Sequence, residues 1–186
     1  MQDTELFLSL AEIAGVFVGF GALIAIRSGG ATDAWGVAGI GLVVWGGIQA
    51  VALALAPVAI SRFEVPDHAL WVSCSLLFLA LFWVVGELVD RAFPERMAMR
   101  MAWPLKARWR LELVFALLVT IPMHLALVLI LLGVSPDLEA ALYFAALVLL
   151  LVMVMFELLW LVVTGGRPQP AEETTVEAEP GAPGTP

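Results

Sequence analysis

Charged residues are scarce in this chain. They make up 14% of its 186 residues, against 62% hydrophobic residues and a mean hydropathy of +0.99. A soluble domain of this length needs polar faces that recur every few residues, so this composition excludes an ordinary water-soluble globular protein. Asparagine is absent and Lys106 is the one lysine among nine Lys and Arg residues, a bias typical of GC-rich bacterial genomes. We therefore expect an integral protein of a bacterial cytoplasmic membrane.

Residues that bind metals and cofactors are equally few. Cys74 is the only cysteine, so no intrachain disulfide can form, and one cysteine with two histidines cannot complete a Cys/His zinc site. The glycines lie in apolar runs rather than in a phosphate-binding loop or a dinucleotide motif after a strand. The net charge of −8 argues against nucleic-acid binding, which needs a basic surface. The sequence thus predicts no metal, no cofactor and no nucleic-acid partner.

Long apolar runs dominate the rest of the sequence. A helix needs about 20 mainly apolar residues to cross a hydrocarbon core roughly 30 Å thick, and five runs within residues 1–164 meet that length. Residues 165–186 are rich in Pro, Gly and Glu and cannot bury enough surface to become ordered. We predict an all-α bundle of five transmembrane helices and a disordered acidic cytoplasmic tail. The five runs are Leu6–Ile26, Trp35–Ile60, Ala69–Val89, Leu113–Val134 and Ala140–Thr164.

Basic residues cluster between the third and fourth runs. Lysine and arginine concentrate in short cytoplasmic loops, so we predict that this link lies inside, the N-terminus outside and the C-terminus in the cytoplasm. Met97, Met101 and Leu105 follow helical spacing in the same link. That pattern is compatible with a short interfacial helix near anionic lipid headgroups, or with a loop whose charge only sets the orientation. The basic residues are Arg91, Arg96, Arg100, Lys106, Arg108 and Arg110.

Among the polar residues inside the apolar runs, four are candidates for a functional role: Glu12, Gln49, His124 and Glu157. A charged group at mid-membrane costs about 2.5–3.5 kcal/mol on insertion scales, so we expect Glu12 to face protein or water rather than lipid. Glu12 and His124 lie at similar depth below the outer boundary, and a Glu–His pair is suited to a proton relay. The four residues form a candidate ion or proton pathway. The alternative is that they only join helices by hydrogen bonds.

Small residues and prolines mark the expected helix contacts. On the first run Ser9, Glu12, Gly15, Gly19 and Ala22 follow three- and four-residue steps and form one small, polar stripe. Small residues at this spacing let helix backbones approach closely, whereas proline removes a backbone donor and bends a helix. The sequence therefore predicts packing at Gly15, Gly19, Gly39, Gly46 and Gly47, and helix kinks at Pro57 and Pro122.

These features favour two functions and leave a remote third. A small channel- or transporter-like protein would use the intramembrane polar groups as a proton-sensitive pathway. A non-catalytic scaffold or accessory subunit would use them only to join helices. An intramembrane serine hydrolase would need Ser73 or Ser75 beside His124, but the turn that exposes such a nucleophile is missing, so we expect no enzyme. Because the small-residue faces exceed what one short bundle needs, we expect a homo-oligomer or an assembly with other membrane subunits.

Overall fold

The structure is a computed structural model that describes residues 2–27, 34–92 and 114–164. Within those ranges every regular element is helical and no strand occurs. The all-helical prediction is therefore confirmed for this part of the chain. The predicted interfacial helix or loop between the third and fourth runs, and the predicted tail from residue 165, lie outside the described residues.

Five helices account for most of the described ranges. Their composition favours this structure, because in lipid every backbone N–H and C=O must find its partner within its own segment. Short 3-10 turns, Ser61–Phe63 and Pro136–Leu138, precede the third and fifth helices, and a π-helical segment, Ala116–Thr120, leads into the fourth. The helices are α1 (Gln2–Arg27), α2 (Ala34–Ile60), α3 (Asp67–Ala92), α4 (Ile121–Leu131) and α5 (Glu139–Thr164).

Four of these described helices are long and apolar enough to cross a membrane. The fourth predicted run contributes a shorter apolar stretch, Leu117–Leu131, to the described residues. Several apolar helices of this length are typical of a multi-pass protein embedded in a membrane. They agree with the prediction of a membrane protein that was made from composition. The four long spans are Thr4–Ile24, Ile40–Phe63, Asp67–Leu88 and Pro136–Leu159.

The turn between α4 and α5 is closed by a glycine. Gly133 adopts a φ of +63°, its amide donates to the carbonyl of Ile130 at 3.0 Å, and the amide of Val134 donates to the carbonyl of Leu129 at 3.3 Å. These two bonds form a Schellman motif, in which glycine occupies the left-handed position that other residues adopt only with strain. The motif ends α4 and turns the chain back towards α5.

α5 lies at the centre of the bundle and contacts each of the other four helices. α1 packs on α2 and α5, whereas α4 packs on α3 and α5. The ring of Tyr143 on α5 lies 6.1, 5.8 and 6.1 Å from the rings of Phe7, Trp71 and Phe78. Its hydroxyl donates to the carbonyl of Leu53 at 2.9 Å. One buried side chain therefore connects α5 to α1, α2 and α3.

Candidate functional site

The buried face of α1 is narrow. Phe7, Leu10, Ala14 and Gly21 are buried, and at 3.6 residues per turn they fall close to one line that runs along the helix. Glu12 lies two residues before Ala14, about 160° round the helix from that line, and its side chain is exposed. The helices on which α1 packs therefore do not provide the protein or water environment that the sequence predicts for Glu12.

The small, polar stripe predicted on α1 belongs to this outward face. Ser9, Glu12, Gly15, Gly19 and Ala22 are all exposed, and we call these five residues the outward stripe. A methyl group built on Gly15 or Gly19 would meet no atom of the described chain within 4 Å. The close packing predicted for these two glycines is thus not made by the helices that the structure describes. Both backbones are open to a neighbour.

The outward stripe belongs to Thr4–Ile24, one of the four stretches that are long and apolar enough to cross a membrane. No hydrogen bond or ion pair from the described ranges reaches the Glu12 carboxyl. An ionised carboxylate at mid-membrane costs about 2.5–3.5 kcal/mol on insertion scales. A neutral carboxylic acid avoids the charge but still presents one donor and free acceptor sites that lipid tails cannot satisfy. The Glu12 carboxyl is thus a polar group on an apolar helix that no described contact satisfies.

The glycines of α2 face neighbouring helices. A Cβ built on Gly47 would lie 2.5 Å from Cγ2 of Val18 on α1, and one built on Gly46 would lie 2.8 Å from Cγ2 of Val154 on α5. Carbon atoms in contact are normally about 3.5–4.0 Å apart. α2 can therefore lie this close to α1 and α5 only because glycine has no side chain at these two positions. Gly39 lies in α2, but its surroundings are outside the described residues.

The two prolines occupy different positions in their helices. Pro57 is buried inside α2, and the helix continues past it to its end at Ile60. Pro122 is the second residue of α4, which begins directly after the π-helical segment Ala116–Thr120. Proline removes an i→i−4 hydrogen bond, and π-helical turns are one way in which a helix accommodates such an interruption. The irregular segment therefore lies just before Pro122.

The side chain of His124, on α4, packs against two aromatic rings of α3 and not against α1. Its Nδ1 lies 2.8 Å from the carbonyl oxygen of Thr120, and because a carbonyl only accepts, Nδ1 donates this hydrogen bond. The rings of Phe82 and Trp83 lie 5.1 and 6.0 Å away, both edge-on. Nε2 is buried without a partner in the described chain. The hypothesised pair with Glu12 is not among these contacts.

Gln49 and Glu157 are the other two residues of the predicted pathway. Gln49 is buried on α2, and its amide nitrogen has no partner among the residues described. Glu157 is half-buried on α5 and has an interaction of its own, so it is not an unpaired charge. Within residues 2–27, 34–92 and 114–164, no hydrogen bond links Glu12, Gln49 and His124 to one another. These three residues lie on different helices without polar contact.

The residues considered for a serine hydrolase make other contacts. The hydroxyl of Ser73 donates to the carbonyl of Ala69 at 2.7 Å. Cys74 and Ser75 are fully buried, and the Ser75 hydroxyl has no partner in the described part of the chain. Since the described hydrogen bond of His124 is to Thr120, no described contact joins a nucleophile to this base.

Arg91 is the one described member of the predicted basic cluster. It is exposed, and its Nε lies 2.9 Å from Oε1 of Glu87, one turn earlier on α3. An exposed pair of this kind contributes little to stability. The other basic residues lie outside the described residues: Arg96, Arg100, Lys106, Arg108 and Arg110.

A polar contact that the sequence analysis did not anticipate joins the starts of α3 and α5. Nδ1 of His68 lies 2.5 Å from Oε1 of Glu139, whose side chain is only 2% exposed. Each residue lies in the first turn of its helix, and a Cβ built on Gly133 would lie 3.5 Å from the His68 ring. The two residues are 71 positions apart in sequence, so only the paired turns that follow α2 and α4 bring them together.

We expect His68→Ala to destabilise the protein by about 1–3 kcal/mol, because it leaves the buried Glu139 carboxyl without its hydrogen-bond partner. His68→Gln keeps a donor and should recover part of the loss. Asp137→Ala, an exposed acidic position two residues from Glu139, is the control and should change stability little. Unfolding of the three variants in detergent measures this. Equal stability of His68→Ala and Asp137→Ala would contradict the role given to His68.

Comparisons with protein-family models, with curated proteins and with solved structures find no match to this chain.

Proposed function

We propose that this protein is a non-catalytic membrane subunit that binds another transmembrane helix through the outward stripe of α1. In this proposal the chain crosses a bacterial cytoplasmic membrane five times, with its N-terminus outside and its C-terminus in the cytoplasm. The cluster of basic residues between the third and fourth runs supports that orientation. The run Leu113–Val134, the fourth along the chain, is long enough to cross the membrane as well, and this brings the number of crossings to five.

The position of Glu12 carries the proposal. The side chain is exposed inside an apolar span, on the same face as the open backbones of Gly15 and Gly19. Polar side chains and small residues are the two features that drive association of helices in lipid, where the hydrophobic effect gives no help. Their coincidence on one outward face supports association as the function of that face.

The interior of the bundle supports binding over conduction. Buried residues from all five helices form its core, including Phe7, Leu53, Phe78, Met123 and Tyr143. The groove between the π-helical segment and α5 is lined by apolar side chains alone. An ion or proton pathway needs polar groups or water in sequence, and Glu12 points away from this core.

Proton-linked transport is the competing function, and the buried, unpartnered Nε2 of His124 favours it. A neutral imidazole nitrogen inside a span is a proton acceptor. Purified protein in liposomes separates the two functions. Transport predicts a flux driven by a pH gradient that Glu12→Gln changes, whereas the proposed function predicts no flux from the wild-type protein.

Photo-cross-linking in membranes tests the proposed function directly. A photoreactive side chain replaces Ala22, on the outward stripe, or Phe20, which is also exposed but lies about 160° away round the helix. We expect mainly protein adducts from position 22 and mainly lipid adducts from position 20, because only the stripe faces a partner. Lipid adducts alone from both positions would contradict the proposal.

A further inference from the structure

An apolar groove runs along the bundle between α5 and the stretch that leads into α4. Its volume is about 260 Å³, and side chains from residues 114–119 and 152–159 line it. We infer that the groove holds one acyl chain of an anionic phospholipid from the cytoplasmic leaflet, with the headgroup beside the end formed by Val114 and Leu159. The inference goes beyond the proposed function, because no residue of α1 lines the groove.

The walls of the groove suit a hydrocarbon chain. Each described side chain that lines it is apolar, so a polar ligand would lose its hydrogen bonds there without replacement. The rings of Phe115 and Phe156 lie 4.9 Å apart and connect the two walls. Val119 lines the groove and is only 7% exposed, whereas its neighbour Leu118 is 67% exposed. The groove therefore has a closed floor and an open side.

The length and position of the groove match one leaflet of a bilayer. Residues 152–159 extend over roughly 10 Å along α5 at 1.5 Å per residue, whereas a transmembrane helix would need a contact along a core roughly 30 Å thick. Val152 is the midpoint of the run Ala140–Thr164. In the proposed topology α5 runs towards the cytoplasm, so the groove extends from mid-membrane at Val152 to the cytoplasmic side at Leu159.

Charge in the sequence selects the headgroup. The hydrocarbon chain itself gives little preference, because lipid is as apolar as the groove. The polypeptide reaches Val114 directly after its most basic stretch, in which Lys106, Arg108 and Arg110 are followed by one acid, Glu112. Each Lys or Arg near an anionic membrane surface strengthens binding about fivefold. This charge complementarity favours an anionic phospholipid over a zwitterionic one.

Photolabelling of the full chain in phosphatidylcholine vesicles tests the occupant. A trace of phosphatidylglycerol carries a photoreactive group at the end of one acyl chain, and mass spectrometry locates its adducts. We expect adducts at Val119 and Val152, the mid-membrane end of the groove. Ile121, two residues from Val119 but 53% exposed and outside the groove, is the reference for ordinary lipid contact.

The same label on phosphatidylcholine tests the headgroup. Relative to Ile121, it should label Val119 and Val152 less than phosphatidylglycerol does, by a factor of about five or more, which corresponds to at least one basic residue near the headgroup. Excess unlabelled phosphatidylglycerol should displace the label from Val152 but not from Ile121. Equal labelling ratios for the two lipids would overturn the choice of an anionic phospholipid.

A variant that fills the groove tests the place. Met155→Trp puts a larger side chain into the groove, whereas Leu125→Trp adds an equal side chain at an exposed position of α4 outside it. We expect labelling of Val152 to fall about tenfold in Met155→Trp, within the usual cost of overpacking, and to stay within about twofold of the wild type in Leu125→Trp. Circular dichroism confirms that both variants remain folded.

These outcomes are independent of those of the proposed function. Absence of label from Val119 and Val152, or labelling that Met155→Trp leaves unchanged, overturns the bound phospholipid whatever partner α1 has. The comparison of the two headgroups uses the wild-type chain, so it decides the inference even if Met155→Trp does not fold.

Discussion

Replacing Gly47 with leucine is expected to destabilise the protein by about 3 kcal/mol, at the upper end of the usual cost of overpacking. A Cβ at this position would lie 2.5 Å from Cγ2 of Val18 and 3.4 Å from the backbone carbonyl oxygen of Ala14. A rotation of Val18 relieves the first contact, and the second is an ordinary van der Waals distance for a methyl group. The three further carbons of leucine, however, extend beyond Cβ where the backbone of α1 is already in contact. The two helices must therefore move apart, which loses contacts along the α1–α2 interface.

The control for this prediction is Gly86→Leu on α3, since a Cβ there meets no atom of the described chain within 4 Å. Both changes add the same side chain to a transmembrane helix, so their difference isolates the effect of the contact with α1. Gly47→Ala should also destabilise the protein. Adding Val18→Ala to that variant should recover part of the lost stability, because it removes the methyl groups nearest to the new Cβ. Detergent unfolding curves measure all four variants. A Gly47→Leu protein as stable as Gly86→Leu would contradict the α1–α2 packing.

The sequence predicted the helices well because their length depends on local composition alone. An apolar run of about 20 residues reports the thickness of a membrane, whatever its neighbours are. The glycines of α2 show where this information ends. Their spacing marks a packing surface, but only the rotation of α2 decides that Gly46 meets Val154 on α5 while the next residue meets Val18 on α1.

The hypothesis of a Glu12–His124 pair was based on the similar depth of the two residues in the membrane. Depth does not determine how each helix is rotated about its axis, and therefore not which neighbour a side chain faces. In a soluble helix, polar residues mark the outward face. In a membrane helix, both the core and the lipid favour apolar side chains, so that signal nearly vanishes. The seven-residue steps of Phe7, Ala14 and Gly21 are a weak sign of the buried line, and they place Glu12 on the opposite side.

The contact between His68 and Glu139 was beyond the sequence for a different reason. Each residue lies in the first turn of its helix, directly after a short connection. Neither apolar length nor helical spacing predicts the path of such a connection in space. Their meeting depends on the left-handed conformation of Gly133 and on the packing of α3 with α4 and α5. The one local sign is that each lies two or three residues after a proline, Pro66 and Pro136, at the start of a helix.

Tyr143→Ala is expected to cost about 3 kcal/mol, because the fully buried ring fills the space between four helices. Loss of a buried aromatic side chain costs about 3–5 kcal/mol in water-soluble proteins. Part of that value is transfer from water, and lipid removes this part because it is as apolar as the core. The lost packing against Phe7, Trp71 and Phe78 remains, which places our expectation at the lower end.

Tyr143→Phe separates the ring from its hydroxyl. It keeps the ring contacts and loses only the hydrogen bond to the carbonyl of Leu53, so we expect a cost of about 1 kcal/mol. Phe63→Ala removes an aromatic ring of similar size from a turn where 78% of the side chain is exposed, and it should leave the stability nearly unchanged. The free energy of unfolding of each variant in detergent, measured over a range of denaturant concentrations, tests the series. If Tyr143→Ala and Tyr143→Phe lose the same stability, the hydrogen bond rather than the packed ring holds α5 at the centre of the bundle, because the two variants share only the loss of the hydroxyl.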